Sequence, residues 1–331
     1  MEKFRALIVS ENSQGKYEAN VGWKTRKDLP PGELLVRVSY SSLNYKDALS
    51  ASGHKGITRT FPHTPGIDAA GVVEESQDPR FSPGEKVIIT SYDLGMNTSG
   101  GFSQFIQVPA DWALPLPSGL SLRESMILGT AGLTAAIALD LLKEHEITPE
   151  GGPILVTGAS GGVGSLAIAL LKKCGYEVVA LSGKKDAVSF LEEIGAQKVI
   201  GREELMASKD RPLMKALFQG VIDTVGGEML SRAIRSMESY GCAACCGLVL
   251  SDQLEVSLMP FLLRGVSLAG VESGNYPMDK RKRLWLKLSS DWKIEHLGKI
   301  CREVSLEELP AEIDRILSGA QIGRVLVRID H

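Results

Sequence analysis

A glycine-rich segment at residues 158–164 is the part of the sequence whose composition and spacing most clearly indicate chemistry. It reads Gly-Ala-Ser-Gly-Gly-Val-Gly, with a short apolar run before it and a helical apolar pattern after it. Ala159, Gly161 and Gly164 stand at the three positions of the dinucleotide fingerprint, with alanine at the first. Glycines let the backbone approach a pyrophosphate, and the N–H groups of a helix start face its negative charge. The segment therefore predicts a dinucleotide cofactor.

The end of the next predicted strand bears on which dinucleotide is bound. An NAD site usually places Asp or Glu about 20 residues after the loop, where it bonds the ribose 2′-hydroxyl. Here Ser182, Gly183, Lys184 and Lys185 follow the strand instead, and a hydroxyl with two ammonium groups could receive a 2′-phosphate. A solvated basic turn is the alternative. The pattern favours NADPH, and Arg202, after the third predicted strand, is a further candidate for the phosphate.

Two different rhythms of apolar runs and turns must position these residues. Before about residue 120, short strands at 34–38, 71–73 and 87–89 alternate with Pro/Gly turns, which predicts an antiparallel, barrel-like module. From about 121 to 270, strands alternate with helices. That alternation predicts an α/β domain with a parallel sheet covered on both faces.

The C-terminal segment returns to a different pattern. Ser305 and Glu308 have capping-box spacing, which predicts a helix to about Leu317, and residues 324–329 predict a final strand. We expect this tail to pack against the N-terminal module, so that the first domain is discontinuous. The predicted domains are residues 1–122 together with 271–331, and residues 123–270.

Composition and charge narrow the class of protein and its partners. A formal net charge of −3 over 331 residues gives no basic field, so we expect no nucleic-acid partner. The five cysteines are an odd number and suit a reducing compartment. The N-terminus lacks a signal-peptide pattern, and no apolar run reaches the length of a membrane span. We therefore expect a cytoplasmic protein without a membrane partner.

Several segments, taken in order, carry a resemblance to a known family. They are residues 42–47, 61–71, 129–135, 156–165 and 222–226. In that order they resemble the medium-chain dehydrogenase/reductase superfamily, essentially from end to end. Within it the chain is most similar to the YhdH/YhfP group of quinone oxidoreductases, which includes NADPH-dependent acrylyl-CoA reductases. The segments that carry this closer likeness are residues 44–47, 156–165, 182–184 and 259–264.

The resemblance implies a fold, a cofactor site and an assembly. The fold would be a GroES-like β-barrel catalytic domain with a doubly wound, parallel-sheet Rossmann domain, and the cofactor would lie in the cleft between them. The protein would be a homodimer through the Rossmann domain. The cofactor contacts that the resemblance implies are Tyr45, Ser160, Gly161, Gly162, Val163, Ser182, Gly183, Lys184, Arg202, Leu248, Leu262 and Ser273. Thr130 and Thr134 lie near the predicted domain junction, where their hydroxyls either touch the cofactor or serve helix packing.

The zinc-dependent branch of the superfamily requires ligands that this chain lacks. Zinc needs N and S ligands in tetrahedral reach. There is no cysteine before Cys174, and Gly66, Ile67 and Asp68 stand where a Gly-His-Glu segment would be. We therefore predict no metal. For the remaining candidates we expect packing or surface roles: His54, His63, Cys242, Cys245 and Cys246.

A reaction without a Lewis acid favours a substrate that is already electrophilic, such as an α,β-unsaturated thioester, a ketone or a quinone. Hydride adds to the β-carbon, donors stabilise the charge on the carbonyl oxygen, and a proton completes the reduction. Tyr45 and Asn44 are the predicted catalytic residues, although Tyr45 could equally be a packing residue beside the nicotinamide. We expect a structural role for Asp68. The basic residues 280–283 could hold the phosphates of CoA or form a solvated helix face.

Three functions remain after these observations. The first is NADPH-dependent reduction of an activated carbonyl compound, with acrylyl-CoA to propionyl-CoA as the specific prediction. The second is an NADPH:quinone oxidoreductase. The third, of a different class, is an NADPH-binding protein with little catalysis, because crystallins were recruited from this superfamily.

Overall fold

The computed structural model describes residues 3–207 and 209–331, which form two compact units. Unit 1 comprises the described residues up to Thr130, Gly274–Ser289 and His296–His331; unit 2 comprises Ala131–Ser273 and Ser290–Glu295. The boundaries expected at residues 122/123 and 270/271 lie slightly before these divisions. The first differs because the chain passes from unit 1 to unit 2 within the helical segment Leu122–Glu144, where no loop marks the change.

The elements follow in chain order. The strands are β1 Phe4–Glu11, β2 Tyr17–Lys24, β3 Leu34–Leu43, β4 Asp68–Ser76, β5 Lys86–Thr90, β6 Phe105–Val108, β7 Ala113–Pro115, β8 Ile154–Thr157, β9 Val178–Leu181, β10 Lys198–Ile200, β11 Phe218–Asp223, β12 Met237–Cys245, β13 Ser267–Gly270, β14 Cys301–Val304 and β15 Arg324–Arg328. The helices are α1 Tyr45–Ala51, α2 Leu122–Glu144, α3 Gly162–Lys173, α4 Val188–Ile194, α5 Arg202–Met206, α6 Gly227–Arg235, α7 Met259–Arg264, α8 Met278–Ser289 and α9 Leu309–Leu317.

Unit 1 is built on a seven-stranded sheet in the order β14-β15-β3-β4-β5-β7, with β6 also paired to β3. The strands predicted from Pro/Gly turns lie in β3, β4 and β5, which pair antiparallel as expected. Leu34, Val36 and Val38 alternate along β3 into the core. Strand β15 pairs antiparallel with β3, with Val325 opposite Leu43, so the tail completes this sheet.

The C-terminal helix begins later than the capping-box spacing predicts. The backbone N–H and the hydroxyl of Ser305 both donate to the Glu308 carboxylate, at 2.8 and 2.9 Å. The α-helix nevertheless starts at Leu309. Pro310 accounts for the later start, because proline has no N–H to donate to the carbonyl four residues before it and is tolerated only in the first turn of a helix. The helix ends at Leu317, as predicted.

Unit 2 is a six-stranded parallel sheet in the order β10-β9-β8-β11-β12-β13. The strands predicted at 154–157 and 198–200 match β8 and β10. The chain runs outward from β8 to β10 and then returns to β11 on the other side of β8. The strand order therefore reverses between β8 and β11, which is where doubly wound sheets bind ligands.

Helix α2 is the one helix among the described residues with the length and apolar composition of a membrane span. Of its most apolar 18-residue window, 89% is buried inside the protein, and this burial accounts for its composition. The helix is interrupted at Gly129, which has φ 51° and ψ −153°.

Candidate functional site

The glycine loop connects β8 to α3 at the edge of the sheet where the strand order reverses. Gly161 is the N-cap of α3, and the Ser165 N–H donates to the Gly161 carbonyl at 2.9 Å, which is the first bond of the helix. The N–H groups of Gly162, Val163 and Gly164 consequently have no acceptor within the helix. Such a helix start binds anionic groups, because its N–H groups and its dipole both favour negative charge.

Two glycines are required by the shape of the loop. Gly158 has φ +56°, and a Cβ there would lie 2.1 Å from the Thr224 Oγ1. A Cβ on Gly164 would lie 2.4 Å from the Gly158 carbonyl oxygen. Both distances are far below van der Waals contact, so the loop closes tightly on itself and on the strand beside it. What remains at the loop surface is backbone that can approach a pyrophosphate.

A buried carboxylate that was not among the predicted site residues fixes the base of this loop. The Thr157 hydroxyl donates to Asp223 Oδ1 at 2.6 Å, and the Gly226 N–H donates to Asp223 Oδ2 at 2.8 Å. The Thr224 N–H donates back to Thr157 Oγ1 at 3.0 Å. Burial raises the pKa of Asp223. Asp223 thus joins the ends of β8 and β11, and its position at the end of an apolar strand was the available signal.

The structure brings the predicted 2′-phosphate residues together. The Lys184 N–H donates to the Ser182 hydroxyl at 3.1 Å, and that hydroxyl lies 3.4 Å from the Ser160 Oγ in the glycine loop. A Cβ on Gly183 would be 3.1 Å from the Nε of Arg202, so the guanidinium lies beside this turn. Burial lowers the pKa of Lys184. Ser182, Lys184 and Arg202 therefore come together after β9 and β10, next to the loop after β8.

The other predicted cofactor contacts of unit 2 differ in their surroundings. The Thr134 hydroxyl donates to the Ser273 Oγ at 2.8 Å, which brings these two residues together. Leu248 follows β12 and lines a cavity of about 470 Å³ together with Gly226. Leu262 lies on α7 with 77% of its surface exposed and is not part of that lining.

In unit 1, Tyr45 and Asn44 occupy different environments. Tyr45 is the first residue of α1 and is 38% exposed. The Asn44 amide donates to Asp68 Oδ2 at 2.8 Å and to the Ser42 carbonyl at 3.2 Å, and its oxygen accepts from Arg324 at 3.1 Å. Both amide hydrogens thus have acceptors within unit 1. This arrangement favours a positioning role for Asn44 and leaves Tyr45 as the partly exposed residue of the pair.

Three titratable groups of unit 1, Asp47, Asp68 and Arg324, are buried and hydrogen-bonded to Asn44. Asp47 accepts from the N–H groups of Gly66 and Ile67 at 3.1 and 2.8 Å. Burial raises the pKa of Asp47 to about 7, and the negative charge of Asp68 contributes. Burial also lowers the pKa of the Arg324 guanidinium.

The basic segment on α8 is not a uniform patch. Arg281 is 1% exposed, and its guanidinium donates to the Thr90 carbonyl at 2.6 Å and the Gly274 carbonyl at 3.1 Å. It also lies 4.4 Å from the centre of the Tyr92 ring. Both interpretations of the segment, a CoA-phosphate site and a solvated face, are therefore wrong for Arg281, because its hydrogen bonds are internal. The exposed members are Lys280, Lys282 and Arg283.

Two of the remaining histidine and cysteine candidates, His63 and Cys242, are buried. His63 is buried, its Nε2 lies 2.9 Å from the Gly95 carbonyl, and burial lowers its pKa. Cys242 is buried in β12. Across residues 3–207 and 209–331, no group of three or more His, Cys, Asp or Glu side chains is arranged to hold a metal ion.

Two family models match the chain. One, described as a zinc-binding dehydrogenase, matches residues 162–289. The other, described as an alcohol dehydrogenase GroES-like domain, matches residues 30–118. The order of the two matches follows the order of the barrel-like module and the parallel sheet along the chain.

Relatives match nearly the whole chain. Acrylyl-CoA reductase AcuI of Ruegeria pomeroyi is 42% identical over 328 residues, which cover 99% of each chain. The YhdH oxidoreductase of Salmonella enterica, crystallised with NADP, has a TM-score of 0.95 and 42% identity over 98% of this chain and 100% of that one. YhfP of Bacillus subtilis, named for quinone oxidoreduction, is 43% identical over 98% of this chain and 99% of its own. Its structure with NAD bound has a TM-score of 0.96 over 99% and 100% of the two chains. This chain therefore belongs to the medium-chain dehydrogenase/reductase superfamily of oxidoreductases, in the group that contains AcuI, YhdH and YhfP.

Proposed function

We propose that this protein is an NADPH-dependent reductase of α,β-unsaturated carbonyl compounds, and that its substrate is acrylyl-CoA, which it converts to propionyl-CoA. One observation carries the proposal. It is the closed glycine cradle with Ser182, Lys184 and Arg202 beside it, in a chain 42% identical to an acrylyl-CoA reductase.

The cofactor would be held by backbone and side-chain groups of unit 2. The N–H groups of Gly162 and Val163 suit the pyrophosphate, because they lack acceptors within the helix. Ser182, Lys184 and Arg202 suit the 2′-phosphate, which forms charge-assisted hydrogen bonds with such groups. Their gathering at one turn is the reason to propose NADPH rather than NADH, although a relative binds NAD.

The chemistry requires an electrophilic acceptor and a donor for its oxygen. Bound NADPH supplies a hydride for the β-carbon of the unsaturated thioester. Negative charge then develops on the thioester oxygen, where a hydrogen-bond donor stabilises it, and a proton added at the α-carbon completes the reduction. Tyr45 is the residue that we assign the donor role, because it carries a hydroxyl and is partly exposed at the start of α1. A conjugated thioester accepts hydride without a Lewis acid, which suits a chain with Ile67 and Asp68 in place of His and Glu.

We also infer that the protein is a cytoplasmic homodimer. Strand β13 forms an edge of the sheet of unit 2, and its Leu268 is 40% exposed. Leu258, Leu262 and Leu263 nearby in sequence are 70, 77 and 67% exposed. An unpaired sheet edge with apolar neighbours is suited to pairing with a second copy. The five free cysteines and the net charge of −3 support a reducing compartment without a nucleic-acid or membrane partner.

A kinetic panel tests the proposed substrate class and cofactor. Reduction of acrylyl-CoA and of a simple quinone by the purified protein is assayed with NADPH and with NADH. Oxidation of a primary alcohol is assayed with NADP. We expect kcat/KM for acrylyl-CoA to exceed that for the quinone by about 100-fold, and NADPH to exceed NADH by at least about tenfold.

The same panel separates the alternatives. Faster turnover of the quinone would replace the proposal with an NADPH:quinone oxidoreductase. Tight NADPH binding without turnover of any acceptor would leave a dinucleotide-binding protein with little catalysis.

A further inference from the structure

The carboxylate of Asp68, at the start of β4, gathers two separate segments of unit 1. Its side chain is fully buried. It accepts from the Ser42 hydroxyl at 2.7 Å and the Asn44 amide at 2.8 Å, both just before α1. It also accepts from the backbone N–H of Thr130 at 2.9 Å and from the Thr130 hydroxyl at 2.6 Å. The segment that presents Tyr45 and the break in α2 therefore share one anion.

The break in α2 is shaped around this carboxylate. A Cβ on Gly129 would lie 2.5 Å from Asp68 Oδ2 and 2.6 Å from the Ser42 Oγ, and Gly129 has φ +51°. Only glycine fits both the space and the backbone angle. Its non-helical conformation turns both donors of Thr130 towards Asp68 instead of leaving them in the helix.

The hydrogen bonds around Asp68 extend towards the residue where the chain first leaves unit 1 and the residue where it re-enters. Thr130 is the last residue of unit 1 before the first connection, and its hydroxyl lies 2.7 Å from the Ser91 Oγ. The next residue, Tyr92, donates its N–H to the carbonyl of Gly274, where the chain re-enters unit 1, at 3.0 Å. Ser91 and Tyr92 both have positive φ, 63° and 53°. Two adjacent non-glycine residues in this region are strained, so surrounding contacts must hold them there.

We propose that Asp68 is a positioning residue for the reduction. This inference rests on the proposed function. It fixes Asn44, the N-cap of the helix that begins with Tyr45, and it fixes Thr130 at the exit from unit 1. When the hydrogen bonds to Asp68 are weakened, Tyr45 shifts. The glycine loop stays intact, because its contacts lie within unit 2. Turnover falls and the affinity for NADPH is unchanged.

A matched pair of threonine variants tests the proposal. Thr130→Val removes a hydroxyl that bonds Asp68 and Ser91. Thr58→Val removes a buried hydroxyl of the same unit that donates to the Met96 carbonyl at 2.7 Å and lies 2.7 Å from the Ser50 Oγ, outside the network. Both variants lose one threonine hydroxyl, so Thr58→Val controls for the effect of that loss on stability. Asp68→Asn is the stronger variant.

We expect kcat to fall when it is calculated per NADPH-binding site. The number of sites is measured by fluorescence titration. We expect about tenfold for Thr130→Val and about 100-fold for Asp68→Asn, because small misplacements of a reacting group cost rates of this order. The dissociation constant of NADPH and the kcat of Thr58→Val should stay within about twofold of wild type. If Asp68→Asn does not fold, Thr130→Val decides the question by itself.

Three results would overturn the positioning role. They are an unchanged kcat in folded Thr130→Val, an equal loss of kcat in Thr58→Val, and a parallel loss of NADPH affinity. Wild-type turnover of acrylyl-CoA tests the proposed function separately. The ratio of variant to wild type is measured with whichever acceptor the wild type reduces best, so failure of one idea is distinct from failure of the other.

Discussion

The glycine loop of unit 2 and the Asp68 cluster of unit 1, formed by Asp68, Ser42, Asn44 and Thr130, differ in whether their polar groups have hydrogen-bond partners within the protein. At the loop, the N–H groups of Gly162 and Val163 have no acceptor within the helix that they begin. In the cluster, Asp68 is fully buried and takes up donors from Ser42, Asn44 and Thr130. A centre with open donors is arranged to receive an anion, whereas a buried carboxylate that accepts from several segments holds the chain in place.

This difference predicts where a substitution should be detected. Changes at the loop should alter ligand affinity. Changes at the buried polar groups of unit 1 should alter stability or turnover with little effect on cofactor affinity. The predictions below probe each side of that contrast.

Replacement of the buried Arg281 should give the largest effect, on stability alone. Arg281→Met leaves the carbonyls of Thr90 and Gly274 without their donor and removes the contact with the Tyr92 ring. We expect a loss of about 3 kcal/mol in the free energy of unfolding, measured by urea denaturation. Lys282→Met, at the exposed neighbouring position, is the control and should change it by less than about 0.5 kcal/mol. Equal losses in the two variants would mean that Arg281 is not a buried anchor.

A methyl group in the glycine loop should give the next largest effect, on binding. In Gly164→Ala the new Cβ would meet the Gly158 carbonyl oxygen at 2.4 Å, so the loop must open. We expect NADPH to bind about 50-fold more weakly, which is about 2 kcal/mol, in an isothermal titration. Gly298→Ala has open space around its Cβ and serves as the control. Unchanged affinity in Gly164→Ala would show that the pyrophosphate is held elsewhere.

The buried Asp47 should make stability depend on pH. Its folded pKa is raised to about 7, whereas an unfolded aspartate titrates at about 3.9. Between these values the folded protein holds a proton that the unfolded chain releases, so this group lowers stability as the pH rises from about 4 to 7. Asp47→Asn should remove a slope of up to about 1.4 kcal/mol per pH unit, measured by urea unfolding between pH 5 and 8. Parallel profiles for the two proteins would contradict the raised pKa.

Removal of one cation after β9 should give the smallest effect, on cofactor choice. Lys184→Ala should weaken NADPH binding by about three- to tenfold and leave NADH binding unchanged, because only NADPH carries a 2′-phosphate. Lys215→Ala, an exposed lysine of the same unit, is the control. Equal weakening of NADH would mean that Lys184 acts on a part of the cofactor that both dinucleotides share.

The centre in unit 2 could be predicted from the sequence because its parts are contiguous. Gly158 to Gly164 lie between a strand and a helix, and Ser182 and Lys184 follow the next strand. The parallel sheet brings these strand ends to one edge, so their proximity followed from the fold. Asp223 was missed because its hydrogen bond to Thr157 joins residues 66 positions apart and depends on the strand order.

The centre in unit 1 could not be predicted in the same way. Asp68 meets Asn44 and Thr130 across 24 and 62 positions, and Arg324 meets Asn44 across 280. No local period or motif encodes such distances. The run of basic residues on α8 was misread for a similar reason, since only the packing of the helix separates buried Arg281 from exposed Lys282.

The central claim is that hydride passes to the β-carbon of an unsaturated thioester, and an isotope label tests it most directly. The protein is incubated with acrylyl-CoA and NADPH that carries deuterium at both hydrogen positions of nicotinamide C4, and the product is analysed by mass spectrometry and NMR. The expected product is propionyl-CoA with a single deuterium on the β-carbon. Propionyl-CoA without that deuterium, or oxidation of NADPH without formation of propionyl-CoA, would contradict the claim.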